Sequence, residues 1–220
     1  MNSKQNKYIW FGVGLLALFV LFTVLVVTVD VKPIGRQESD VGMATINEKF
    51  NSFTGYNETL YEVTEKVGYF AFAVIAVFGV IGLMQLIKRK SLLKVDKDIL
   101  VLGGFYVVVL ACYVLFEKLV INYRPVIDGV DELEASYPSS HTLLFVAVMT
   151  TAVVQINHRV QKSSLKAILS AICIVCAFVV IGGRAFCGVH WLTDIIGGLL
   201  LAASLCALYC GLAFDGEKGK

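Results

Sequence analysis

Residues 9 to 29 read IWFGVGLLALFVLFTVLVVTV, a run without one charged side chain. At a rise of about 1.5 Å per residue, such a run crosses a hydrocarbon core of about 30 Å as a single helix. A cleavable secretory leader would have a shorter apolar core and a small-residue cleavage site. The following VVTVDVKPIGRQ offers none, so the run reads as a retained first helix. Further apolar runs lie at about Val67–Ile87, Ile99–Phe116, Thr142–Ile156, Leu165–Ile181 and Ile195–Phe214. The expected fold class is therefore all-α: a polytopic membrane protein with six transmembrane helices, forming one domain over residues 1–220. Composition agrees, because 57% hydrophobic and 16% charged residues lie far from a soluble domain's balance.

The loops orient the helices. With six spans, the N-terminus, the second loop, the fourth loop and the tail share one side, and they hold twelve of the nineteen Lys and Arg residues. Positive charge collects on the cytoplasmic side, so both termini are expected in the cytoplasm. The opposite side holds thirteen of the seventeen acidic residues, with Lys118, Arg124 and Arg184 at helix mouths. The net charge of +2 averages two unlike faces and says little. No nucleic-acid partner is expected.

Five cysteines, Cys112, Cys173, Cys176, Cys206 and Cys210, fall inside apolar spans, and only Cys187 lies near an outer mouth, which argues against a disulfide scaffold. The longest connector, residues 30–66, spaces Val41, Met43, Ile46 and Phe50 as a short amphipathic helix at the membrane interface would. It could roof a site or be a plain connector, and its Asn57-Glu58-Thr59 fits the common glycosylation pattern. Gly197 and Gly198 in the last span, and Gly103 and Gly104 in the third, read as sites of close helix packing.

Nearly every polar group at a helix mouth falls in three segments: EKLVINYRP (117–125), YPSSHT (137–142) and GGRAFCGVHWLTD (182–194). Ionisable groups at membrane depth cost about 2.5–3.5 kcal/mol each on insertion scales, so they mark function. The topology puts all three on the outer side, where they can converge. Two arginines and a lysine without a matching carboxylate cluster imply an anion, and the guanidinium fork suits phosphate. Ser139 or Ser140 can cap the fourth span, whose first-turn amides bind anions. His141 stands there, placed to give a proton to a leaving oxygen. His190 and Asp194 are four apart, so the carboxylate can orient the imidazole and free its other nitrogen for attack on phosphorus. No metal or other cofactor is required.

These residues resemble the type 2 phosphatidic acid phosphatase superfamily, which includes the vanadium haloperoxidases. Its pattern is a lysine and, after six residues, Arg-Pro; then Pro-Ser-Gly-His; then Ser-Arg, a histidine after five residues and an aspartate after three more. Arg124-Pro125, Pro138-Ser139-Ser140-His141, and Arg184, His190 and Asp194 match it. The resemblance implies His190 as nucleophile, Asp194 as its partner, His141 as general acid, and Lys118, Arg124, Ser139, Ser140 and Arg184 as the phosphate cradle. The chain departs from the pattern at three places: Glu117 holds the lysine position with Lys118 one residue late, Ser140 replaces glycine, and Gly183 replaces serine.

Other polar residues carry less. His158 reads as solvated; Asp128, Asp131, Glu132 and Glu134 as an acidic loop rather than a cation site; Trp191 and Tyr137 as interface anchors that could also border a substrate. The expected function is hydrolysis of a lipid phosphate or diphosphate monoester through a phosphohistidine. The expected partners are the bilayer and the lipid, with the site facing outward from a bacterial plasma membrane. The resemblance offers undecaprenyl diphosphate first, then phosphatidylglycerol phosphate and phosphatidic acid. The rival is a lipid-phosphate binder or transporter without turnover.

Overall fold

The computed structural model describes residues 3–126 and 133–214, so Asp128, Asp131 and Glu132 of the acidic loop lie outside the described residues. Seven α-helices are found among them: α1 Ser3–Thr28, α2 Ala44–Thr54, α3 Glu58–Arg89, α4 Lys97–Lys118, α5 Ser140–Arg159, α6 Ser163–Phe186 and α7 Leu192–Ala213. All except α2 are long and apolar enough to cross a membrane, which gives the six expected spans. The chain is a multi-pass membrane protein. Its two described ends meet, since Gln5 Nε2 donates to the Phe214 carbonyl at 2.7 Å.

Water does not drive helices together inside a bilayer, so close contact and internal hydrogen bonds must do it. The α1–α7 pair shows how. A Cβ on Gly12 would stand 2.8 Å from Leu208, and one on Gly211 2.6 Å from Ile9, while Ser204 Oγ donates to the Gly12 carbonyl at 2.9 Å. The most buried helices are α5 and α7, around Leu143, Phe145, Met149 and Tyr209. Their polar groups are paired: Gln155 Nε2 donates to Tyr209 Oη at 2.6 Å, and Tyr106 Oη lies 3.2 Å from Thr151 Oγ1. The outer helices present Trp10, Phe178 and Val107, all at least two-thirds exposed, to the lipid.

At the end carrying the termini, Arg159 binds Asp98 at 2.5 Å and Asp96 at 3.2 Å, and Arg89 binds Asp96 at 2.6 Å. This cluster ties α3, α4 and α5 together. His158 is exposed, as expected, and lies at the rim of the cluster. Its Nδ1 lies 3.6 Å from Asp98, and its ring lies edge-on to Phe214 at 5.0 Å.

One expectation for the connector changes. Helix α3 starts at Glu58, capped by Asn57 Oδ1 accepting from the Leu60 amide at 2.9 Å, so residues 58–66 are helix rather than loop. The expected amphipathic helix exists as α2, and one face of it packs against α7. Its buried positions are Ala44 and Asn47, while Ile46 is exposed. Asn47 Nδ2 donates to the Gly42 carbonyl at 2.8 Å and to Thr193 Oγ1 at 3.0 Å, and its Oδ1 accepts from the Thr193 amide at 3.2 Å. Gly42 has no room for a side chain, because a Cβ would fall 1.4 Å from the Val26 carbonyl oxygen. Asn47→Ala strands a buried amide at the start of α7 and should cost about 1–3 kcal/mol. A lower melting midpoint in detergent is the expected result; an unchanged midpoint would refute the docking role.

Candidate active site

The three motif segments meet at the end of the bundle opposite the termini. Beyond α4 the chain runs extended and pairs with the segment leading into α5. The Arg124 amide donates to the Glu134 carbonyl at 3.0 Å and the Ser136 amide to the Asn122 carbonyl at 2.9 Å. The Ser139 amide then donates to the Asp194 carbonyl at 3.0 Å, fastening this run to the first turn of α7. Gly197 and Gly198 permit that approach: a Cβ on the first would strike the Tyr137 ring at 2.7 Å, and one on the second would come 3.0 Å from the Ser139 carbonyl. Gly103 and Gly104 meet nothing within 4 Å, so the packing role expected of them is absent.

Ser139 is the N-cap of α5. Its Oγ accepts from the Thr142 amide at 3.4 Å and from Thr142 Oγ1 at 3.0 Å. Ser140 and His141 follow in the first turn, where backbone amides have no helical acceptor and favour an anion. Arg184 ends α6 with its side chain wholly buried. Its Nη2 binds Glu65 of α3, and the guanidinium lies 5.1 Å from the Tyr61 ring centroid. The turn after α6 needs Gly188, whose φ of +79° and contact with the Gly55 carbonyl leave no place for a side chain.

His190 follows that turn, 1% exposed, with Nδ1 3.6 Å from Asp194 Oδ2. The structure thus pairs the two residues at ion-pair range but without the expected hydrogen bond. The carboxylate's short bond goes to the Trp191 amide at 2.9 Å, which caps α7, and Asn122 Nδ2 reaches its other oxygen at 3.5 Å. Burial, with the Arg124 and Arg184 cations nearby, holds the His190 pKa well below the usual histidine value. The ring is neutral at pH 7 and keeps a free lone pair.

Eight buried side-chain nitrogen or oxygen atoms lack a hydrogen-bond partner among the described residues, and six of them are here. They are Arg124 Nε, Arg184 Nε and Nη1, His141 Nδ1, and both nitrogens of His190. Each such atom costs about 1–3 kcal/mol in an ordinary core. Their concentration in one place is the signature of a site that receives an acceptor-rich group. A cavity of about 230 Å³ opens beside Arg124 and His141, lined also by Glu65, Ser140 and the apolar Phe72, Leu110 and Leu144, while Arg184 and His190 do not line it. Glu117 lines it too. Lys118 is exposed at the end of α4 and does not line the cavity.

Other placements depart from the sequence reading. Tyr137 and Trp191 are not interface anchors: they are 1% and 3% exposed. Tyr137 Oη is 2.7 Å from Thr23 Oγ1 and Trp191 Nε1 donates to the Tyr123 carbonyl at 2.7 Å, so both lock motif segments to the bundle. Gly183 stands where serine was expected because Thr64 of α3 fills the space; a Cβ there would lie 2.2 Å from Thr64 Cγ2. Glu65, Asn122 and Asn47 were missed. Only the proximity of Asn122 to Arg124 in the sequence hinted at any of them.

A family model described as the PAP2 superfamily matches residues 116–216, which contain all three motif segments. Residues 116–216 belong to the PAP2 superfamily. The PAP2 fold extends beyond them. The crystal structure described as that of the first transmembrane PAP2-type phosphatidylglycerolphosphate phosphatase from Bacillus subtilis is similar over 91% of this chain and 94% of that one, with a TM-score of 0.63 and 21% identity. No curated protein matches the chain.

Proposed function

We propose that this PAP2 protein is a lipid phosphatase that removes a terminal phosphate from a membrane lipid through a phosphohistidine on His190. The observation that carries the reading is the concentration of buried guanidinium and imidazole nitrogens without hydrogen-bond partners, beside a cavity that Arg124, Ser140 and His141 line together with an apolar wall among transmembrane helices. Arg184 and His190 lie buried behind that lining, and Arg124 Nε is 3.4 Å from Glu134. A head bearing a phosphate fits the nitrogens and its tail the apolar wall. Arg124, Arg184, the first-turn amides of α5 and Ser140 would hold the equatorial oxygens, neutralising charge as phosphorus is attacked. Neutral His190 would attack, Asp194 would stabilise the imidazolium, and His141 would protonate the leaving oxygen. Ser139, already engaged as a cap, would act through the loop's shape, and Lys118 only through long-range charge. These groups supply nucleophile, acid and charge stabilisation without a metal.

The favoured substrate is undecaprenyl diphosphate. A second cavity of about 460 Å³, lined by Phe78, Leu86, Leu102 and Tyr106, lies between α3 and α4 farther along the same two helices, which suits a chain longer than one leaflet's acyl tail. The loop charges support cytoplasmic termini and a site on the outer face of a bacterial plasma membrane.

The test is phosphate release by purified protein in detergent with excess EDTA, from undecaprenyl diphosphate, phosphatidylglycerol phosphate and phosphatidic acid in parallel. Release should survive the chelator and be fastest from the first. Release abolished by EDTA would refute the metal-free mechanism, and no release from any of the three would favour a binder or transporter.

A further inference from the structure

Helix α3 lies outside all three motif segments, yet it supplies one wall of the site. Tyr61, Thr64, Glu65 and Gly68 lie on one face at spacings of three and four residues. Tyr61 stacks on Arg184, and Thr64 fills the space beside Gly183. Gly68 brings the backbone so close that a Cβ would stand 3.3 Å from His141 Cδ2. Between them, Glu65 Oε1 contacts both Arg184 Nη2 and, at 3.3 Å, His141 Nε2. A carboxylate thus sits among the groups suited to phosphate, where a second anion would be repelled.

We propose that Glu65 is a positioning residue that stands in for phosphate until substrate arrives and then holds His141 as proton donor. The proposal rests on the phosphatase reading above. Nη2 carries one N–H on each two-pronged edge of the guanidinium, so a carboxylate on Nη2 occupies one edge, and its charge opposes a phosphate that binds at the other. On this proposal an arriving phosphate, with more charge and more acceptor oxygens, displaces Glu65 from Arg184. The carboxylate keeps His141 Nε2, which fixes the ring, while His141 Nδ1, buried and without a hydrogen-bond partner, is left to hold the proton for the reaction. Glu65 prevents collapse of the cation cluster in the free protein and lowers its affinity for stray phosphate.

The test compares the wild type with Glu65→Gln and Glu65→Ala. Equilibrium binding of inorganic phosphate is measured alongside turnover of a lipid monophosphate and of an aryl phosphate with a good leaving group. Without the competing charge, phosphate should bind about tenfold tighter in both variants. Turnover of the lipid should fall about tenfold or more, and that of the aryl ester much less. A purely structural role predicts weaker phosphate binding and equal losses on both substrates. Unchanged or weaker phosphate binding in the two variants, or losses independent of leaving group, would overturn the proposal. If the wild type hydrolyses neither substrate, the phosphatase reading fails on its own account, and phosphate binding still decides whether Glu65 competes.

Discussion

Replacing His190 with alanine is expected to lower turnover by on the order of 10⁴–10⁶, the range seen when a nucleophile is removed from an intact site. The side chain makes no close hydrogen bond that the fold would miss, since its contacts with the Ser136 backbone and with Asp194, at 3.6 Å, are long. The cost should thus appear in chemistry rather than in folding. Burial and two neighbouring guanidinium groups keep the ring neutral, which is the form that can attack phosphorus. Rapid quench of the wild type with labelled lipid should trap phosphate on histidine, and the variant should trap none while melting within a few degrees of the wild type. Activity within tenfold of the wild type would remove His190 from the nucleophile role.

His141→Ala should be the next most damaging, at about 10²–10⁴. The imidazole stands in the first turn of α5, with its Cδ2–Nε2 edge against Glu65 and Gly68 of α3. A donor so placed matters most when the departing oxygen is a poor leaving group. The loss should be large for a lipid alkoxide and small for an aryl oxide, whose negative charge needs no proton. For a lipid diphosphate, where the lipid monophosphate departs as the terminal phosphoryl passes to His190, it should fall between. A uniform loss across the three would show that His141 supports binding rather than proton transfer.

The six spans were legible because a bilayer leaves an apolar run few alternatives, and the motif residues because ionisable groups at that depth are rare. Helix ends were less legible. Helix α3 continues nine residues beyond its apolar run, from Val67 back to Glu58, because backbone hydrogen bonding persists after the side chains turn polar. That extension hid Glu65, which reads as connector until it is known to lie one turn from Tyr61 and from Gly68. Asn47 and Asn122 were hidden for another reason. Each works through backbone amides and side chains far away in the sequence, Thr193 and Asp194, and pairings of that kind leave no periodic trace. Tyr137 and Trp191 misled because aromatic residues at span ends usually meet headgroups, whereas here a motif loop folds inward and carries them with it.

The carboxylate of Asp194 accepts the Trp191 amide at the start of α7 and is also within 3.6 Å of His190. Its retention therefore answers to two selective pressures. A descendant of this chain that had lost its chemistry would still need Asp194 to begin its last helix, so finding an aspartate there in a relative says little about whether that relative is an enzyme. The histidine four residues earlier, which makes no close hydrogen bond to the fold, is the position at which a pseudoenzyme would drift first.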